Sequence, residues 1–204
     1  MAFIFLIRHG QNDLVGKKLA GRLPDVHLNP QGQKQARQLA AMLAGKSIKA
    51  VFSSPLERTQ ETAQPIARVH DLPVELLPGL FEIDYGQWQG KSLKQLKRNK
   101  MWKSLQENPE NFSFPDGESF VDAQSRAVGA IDQLSESYAE KEVLVCVSHC
   151  DVIRLVIAHY LGMPLKNFHQ LNVAPASVTG FFLNQGKVLF DTINLTYDGF
   201  SFSE

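Results

Sequence analysis

Cysteine is almost missing from this chain, with 2 in 204 residues, Cys146 and Cys150. Such a pair builds no disulfide framework, and both read as reduced thiols of a cytoplasmic protein. Excess charge is missing too. Lys plus Arg total 21 and Asp plus Glu total 21, so the formal net charge is zero. That balance argues against a basic surface for nucleic acid, although it leaves room for a local cationic cleft. No apolar run approaches the length that spans a bilayer. The opening MAFIFLIRHG is apolar but ends at Arg8, without a basic leader or a small-residue cleavage pattern. It reads as a buried strand and not as a signal peptide. Metal-ligand patterns of the HExxH, CxxC or aspartate-cluster kind do not occur, nor do repeats or low-complexity tracts. The remaining composition, 44% hydrophobic and 21% charged, suits a globular chain long enough for one ample core. A single domain over residues 1–204 is expected.

Periodicity then places the elements. Ala2 to Ile7 is a continuous apolar run that suits a strand buried on both faces. A polar loop follows to Leu28. Asn29-Pro30 looks like a helix cap and first turn, with Ala36, Leu39, Ala40 and Leu43 at helical spacing before a stop at Gly45. Lys49 to Phe52 is a second strand, and Ser53-Ser54-Pro55 opens a helix to about His70 that Pro65 should kink or divide. Val74 to Leu77 is a third strand. Residues 80–118 are irregular and aromatic-rich, and read as an insertion or lid. Ser119 to Ala139 is a long amphipathic helix with Asp122 near its cap. Glu142 to Val147, EVLVCV, is the clearest buried strand, followed by a helix over Val152 to Leu161. Val178 to Leu183 and Lys187 to Ile193 form two strands around the Asn184-Gln185-Gly186 turn. Alternating strands and helices predict a three-layer α/β/α fold with a mostly parallel central sheet.

Three junctions just beyond strand ends carry the chemistry: Arg8-His9-Gly10, Ser53-Ser54-Pro55-Leu56-Glu57-Arg58 and Ser148-His149-Cys150. Ligands of open α/β sheets bind outside the carboxyl ends of the strands. If these strands are parallel neighbours, two histidines and two arginines meet at one point. Guanidinium forks suit phosphate oxygens, and helix N-termini add donors. A neutral imidazole attacks phosphorus when its other ring nitrogen is held as a donor, for which a backbone carbonyl is the natural partner. The leaving group needs a proton. Glu82, among aromatics and facing a dianion, is the acid candidate because its pKa should be raised, with Asp84 as runner-up.

These motifs, with Glu-x-x-x-Gly-x-Trp-x-Gly from Glu82 to Gly90, resemble the histidine phosphatase superfamily, the phosphoglycerate mutase-like fold in its smaller branch. The resemblance runs from Arg8 to about Thr179. It implies a phosphohistidine at His9, a phosphoryl group held by Arg8, Arg58 and His149, proton donation by Glu82, and no cofactor or metal. Asn12, where the family has Thr or Ser, and the backbone N–H of Cys150 are expected to add phosphate contacts. Gly21 and Arg22 are weaker candidates for the substrate. Departures from the family pattern are Val15 in place of an Asn, and Cys150 and Asp151 in place of two glycines. Asp151 is expected to cap the following helix and the Cys150 side chain to point away. Ile83 stands where the mutases carry an Arg that grips a carboxylate, which favours hydrolysis. The stretches Leu19–Leu28 and Ser148–Arg154 are also similar to an uncharacterised bacterial subgroup that carries a phosphomutase label by inference.

The expectation is therefore a cytoplasmic, metal-independent phosphomonoesterase of a small phosphorylated metabolite. The alternatives are a phosphomutase of the same mechanism and a non-catalytic phosphoryl-ligand binder. No nucleic-acid or membrane partner is expected, and a homodimer is the assembly considered. His27, His70, His159 and His169 read as structural or exposed, and Trp88 and Trp102 as packing residues.

Overall fold

The computed structural model describes residues 2–197. The ends of the expected 1–204 domain, Met1 and residues 198–204, lie outside the described residues. Strands β1 (Ala2–Arg8), β2 (Ile48–Ser53), β3 (Val74–Leu76), β4 (Val143–Ser148), β5 (Val178–Asn184) and β6 (Lys187–Leu195) form one sheet in the order β3-β2-β4-β1-β5-β6. The first four in that order run parallel, β5 joins β1 antiparallel, and β6 returns antiparallel to β5. The β5–β6 turn is made by Gln185 and Gly186, both at positive φ (48° and 75°), as a two-residue hairpin loop requires.

Alternation along the strands builds the layers. Ile7, Val51, Val145 and Val147 face one side, where α1 (Pro30–Leu43) and α2 (Glu57–Val69) cover them. Ile4, Leu6, Phe52, Leu144 and Cys146 face the other, under α5 (Phe120–Ser137) and α6 (Cys150–Tyr160). Both sides of the central strands are therefore dry, which is why their sequence runs are continuously apolar. Among the described residues no helix is long and apolar enough to cross a membrane.

The caps follow the sequence at two helices. Asn29 accepts from the Gly32 amide at 3.0 Å with Pro30 in the first turn, and Ser119 accepts from the Asp122 amide at 3.0 Å. Helix α2 departs from expectation. It begins at Glu57, not Ser54, because the Thr59 hydroxyl turns back to the Ser54 and Leu56 carbonyls at 2.9 and 2.6 Å. It also runs undivided through Pro65.

Residues 80–118 carry α3 (Leu93–Leu96), α4 (Met101–Glu107) and three short 3-10 turns counting the one at Pro78–Leu80. Trp88, Leu96, Leu105, Phe112 and Phe114 are buried in the same core as Phe120 of α5 and Ile4 of β1. The segment is thus packed into the body of the protein along one side.

Helix α1 lies hard against the loop after β1. A Cβ on Gly32 would sit 2.0 Å from the Gln11 carbonyl oxygen, and one on Gly10 would sit 2.8 Å from the Gly32 carbonyl oxygen. Gly to Ala inside a helix ordinarily stabilises by up to about 1 kcal/mol. Gly32→Ala should reverse that sign and cost about 1–3 kcal/mol, because backbone has to give way. Urea denaturation reads the result, and a stabilised variant would contradict the packing.

Candidate active site

Strand register brings the three junctions together. Arg8 pairs with Ser148, and Ser53 pairs with Val147. Each ladder continues one step, with the His9 amide donating to the Ser148 carbonyl at 3.0 Å and the Ser54 amide to Val147 at 2.9 Å. Strand β4 lies between β1 and β2, so its tip holds His149 between His9 and Ser54.

His9 is buried, and its Nδ1 donates to the Gly10 carbonyl at 2.7 Å. The Gly10 amide is itself fixed on Thr62 Oγ1 at 3.0 Å. A carbonyl can only accept, so Nδ1 carries the proton and Nε2 keeps its lone pair. Burial, then the Arg58 and Arg8 charges, hold the His9 pKa well below the usual histidine range. The ring is therefore neutral at pH 7.

The His149 ring centroid lies 5.3 Å from that of His9, edge to face. Arg58 donates from Nη2 to His149 Nδ1 at 3.3 Å and to the Gly21 carbonyl at 2.7 Å. Because guanidinium cannot accept, His149 carries its proton on Nε2, which donates to Ser54 Oγ at 2.8 Å. Both nitrogens of His149 are thus engaged by protein, and burial with Arg58 keeps this ring neutral as well. Arg58 is 1% exposed, yet among the described residues its Nε and Nη1 have no hydrogen-bond partner, and neither does Nε of Arg8. Buried cationic donors left without a protein acceptor are costly and fit an anionic ligand.

Arg8, His9 and Arg58 form the floor of a cavity of about 430 Å³ that Glu82 also lines, with His149 fully buried behind them. Glu82 Oε1 accepts from the Ile83 amide at 3.0 Å. Burial and then the nearby Asp151 carboxylate push its pKa up to about 7, against the lowering pull of Arg58. Asp84, the runner-up, does not line the cavity. Its Oδ1 accepts from the Gly86 amide at 2.9 Å and shapes the turn instead.

Asn12 is buried, and its Oδ1 accepts from the Leu14 and Val15 amides at 2.9 and 3.1 Å. That leaves its NH2 group as the donor to the cavity it lines. Cys150 lines the cavity too, with Sγ 3.6 Å from the Val173 carbonyl and its pKa raised by burial to about 11. Gly21 reaches the lining, but Arg22 does not. The Arg22 guanidinium donates to the Glu82 carbonyl at 2.8 Å and to Glu118 at 3.1 Å, fastening the 11–28 loop to the 80–118 segment. Its expected substrate contact is replaced by this internal tie.

Asp151 corrects another expectation, because it caps nothing. The residue preceding α6 is His149, with no side-chain cap. Asp151 instead accepts from Tyr85 Oη at 2.9 Å and from Arg154 at 3.0 Å, both lining residues. Tyr85, Arg154 and His169 went unmarked as site residues in the sequence. Arg154 is one α6 turn past Asp151, a spacing that places both on one helix face once Asp151 faces the site. His169 reaches the rim from a 3-10 turn, which no local pattern signals.

A sequence model of the histidine phosphatase superfamily (branch 1) matches residues 4–196. The adenosylcobalamin/alpha-ribazole phosphatase of Escherichia coli is 31% identical over 202 residues, covering 94% of this chain and 95% of that protein. A 2,3-bisphosphoglycerate-dependent phosphoglycerate mutase of Thermoplasma acidophilum is 31% identical over 195 residues, covering 93% and 91%. Among solved structures, the mycobacterial glucosyl-3-phosphoglycerate phosphatase superposes with a TM-score of 0.83 at 27% identity, covering 94% of this chain and 98% of that one. With the strand order, the paired histidines and a family match over nearly its whole length, this chain belongs to the histidine phosphatase superfamily, branch 1.

Proposed function

We propose that the chain is a cytoplasmic phosphomonoesterase of a small phosphorylated metabolite, working without metal through a phosphohistidine at His9. The observation that carries this is the state of His9: a buried neutral ring whose Nδ1 is tied to Gly10. Its Nε2 lone pair shares the floor with the unpartnered donors of Arg8 and Arg58.

In the first step Nε2 of His9 forms a bond to phosphorus as the P–O bond to the substrate alcohol breaks. Glu82 gives its proton to the departing oxygen. In the second, the Glu82 carboxylate takes a proton from water, whose oxygen attacks phosphorus. The P–N bond breaks and inorganic phosphate leaves. Arg8, Arg58, the Asn12 amide group and the Cys150 backbone N–H receive the phosphoryl oxygens. His149 orients Arg58 through the 3.3 Å contact and keeps a neutral edge beside the nucleophile. Phosphate release across a metabolite panel, unchanged by EDTA, tests the reading. Loss of turnover on chelation, restored by a divalent cation, would overturn its metal-free form.

Arg58→Lys removes the fork while keeping the charge. Loss of one electrostatic donor typically costs about 2–4 kcal/mol of transition-state stabilisation, so kcat/KM should fall about 30- to 1000-fold. A fall under threefold would make Arg58 structural only.

Ile83 bears on the mutase alternative. It is fully buried, so the position where the mutases grip a carboxylate faces the core here. Hydrolysis is accordingly favoured. Stimulation of phosphoryl transfer between hydroxyls by a bisphosphorylated cofactor would reverse that preference.

A further inference from the structure

We infer that the cavity above the phosphoryl floor takes a monoester with a flat apolar body, such as a benzyl-like or heteroaryl-bearing alcohol, in preference to a three-carbon phospho-acid or polyol phosphate. This rests on reading the floor as a phosphoryl site.

The cavity of about 430 Å³ lies within the range of about 300–1,000 Å³ typical of organic-ligand sites. A phosphoryl group fills only its floor. The side contributed by the 12–21 loop and the 80–118 segment carries Leu14, Val15, Leu19, Leu93 and Trp102. Trp102 is half-buried and stacked on buried Trp88, with ring centroids 6.2 Å apart and planes 14° from parallel. That stack holds the indole in place, so it offers a preformed apolar surface at little ordering cost. Val15 and Leu14 have their amides tied to Asn12, which fixes this part of the wall as well.

The cations that a small acid would need are already committed. Arg154 donates to the Leu171 carbonyl at 2.7 Å and to Asp151 at 3.0 Å. Arg22 and Arg126 share Glu118. Among the described residues, the exposed Lys18 is the remaining cation of the lining away from the floor. The Asp151 carboxylate faces the same space and would repel a second negative group. A polyol would set hydroxyls against the wall of Leu14, Val15, Leu19 and Leu93, where they find no partner, a loss that apolar contact does not offset.

Benzyl phosphate, glycerol 3-phosphate and 3-phosphoglycerate all release primary alkoxides, so the comparison isolates the body of the substrate. On the whole chain, kcat/KM for benzyl phosphate should exceed that for either other ester at least tenfold. Trp102→Ala should shrink that ratio to threefold or less through KM. Leu14→Ser, in a partly exposed loop, should also shrink it and serves if Trp102→Ala fails to fold. Calorimetry with benzylphosphonate and methylphosphonate reads the same preference without turnover. Equal or better use of the polar esters by the parent enzyme would overturn the inference and leave the phosphatase reading standing. No turnover of any ester, with benzylphosphonate still bound at least tenfold tighter, would overturn the phosphatase reading and leave the apolar pocket standing. Equal binding of the two phosphonates would overturn the inference on its own.

Discussion

Replacing His9 with alanine is expected to lower kcat by about 10⁴-fold or more, the scale seen when an enzyme loses its nucleophile. Two neighbouring groups with nucleophilic atoms cannot take over. The second ring, His149, has Nδ1 on Arg58 and its Nε2 proton on Ser54, so it lacks a free lone pair aimed at substrate. Cys150 is held in its thiol form by burial, with a pKa of about 11, and a thiol is a poor nucleophile. The rings of His9 and His149 are both kept neutral by burial and by the arginines, so removing His9 does not uncover a charged partner. Circular dichroism should show a folded variant. Rapid quenching of the parent enzyme with labelled substrate should trap phosphate on protein in an acid-labile, base-stable linkage, absent from His9→Ala. Turnover within tenfold of the parent, or label that persists in the variant, would remove His9 from the chemistry.

The three junctions were legible because each follows a strand whose apolar run is unmistakable. Parallel register then forces Arg8, Ser53 and Ser148 to one level, and their neighbours follow. Asparagine, proline and serine at the starts of α1 and α5 carried local capping signals that long-range packing did not override. The start of α2 was misplaced because Thr59, inside the helix, competes for the Ser54 carbonyl, a contact with no spacing rule behind it. The parts that failed are those decided by three-dimensional neighbours. Asp151 has the residue type of a cap, yet Tyr85, 66 positions away, and Arg154 draw its carboxylate into the cavity. Arg22 has the residue type of a phosphate contact, yet Glu118, 96 positions away, takes it. Local sequence states which groups are available. Only the fold states which acceptor reaches each donor first.

The second large effect concerns Glu82, and its pH dependence has a definite sign. Burial, followed by the Asp151 carboxylate, raises its pKa from 4.5 to about 7, while Arg58, the Ile83 amide and Arg8 pull the other way. A general acid must hold its proton to act. The kcat/KM for an ester with a poor leaving group should therefore be level below pH 7 and fall about tenfold per pH unit above it. Glu82→Gln should lower this rate about 10²- to 10⁴-fold and erase that limb. Release of p-nitrophenolate, which needs no proton, should suffer much less in its first step. Stability should also fall as pH rises. The native state binds this proton more tightly than the unfolded chain, so Glu82 loses stability for the fold as pH rises from 4.5 to about 7. At pH 8 the loss is at most about 3 kcal/mol, from 1.36 kcal/mol per pKa unit. Glu82→Gln should thus be more stable than the parent at pH 8, with the gap closing towards pH 5, as urea denaturation at the two pH values will show. Equal stabilities at pH 8 combined with an unaltered pH–rate limb would mean that the carboxyl is ionised throughout, and the proton for the leaving group would have to come from elsewhere.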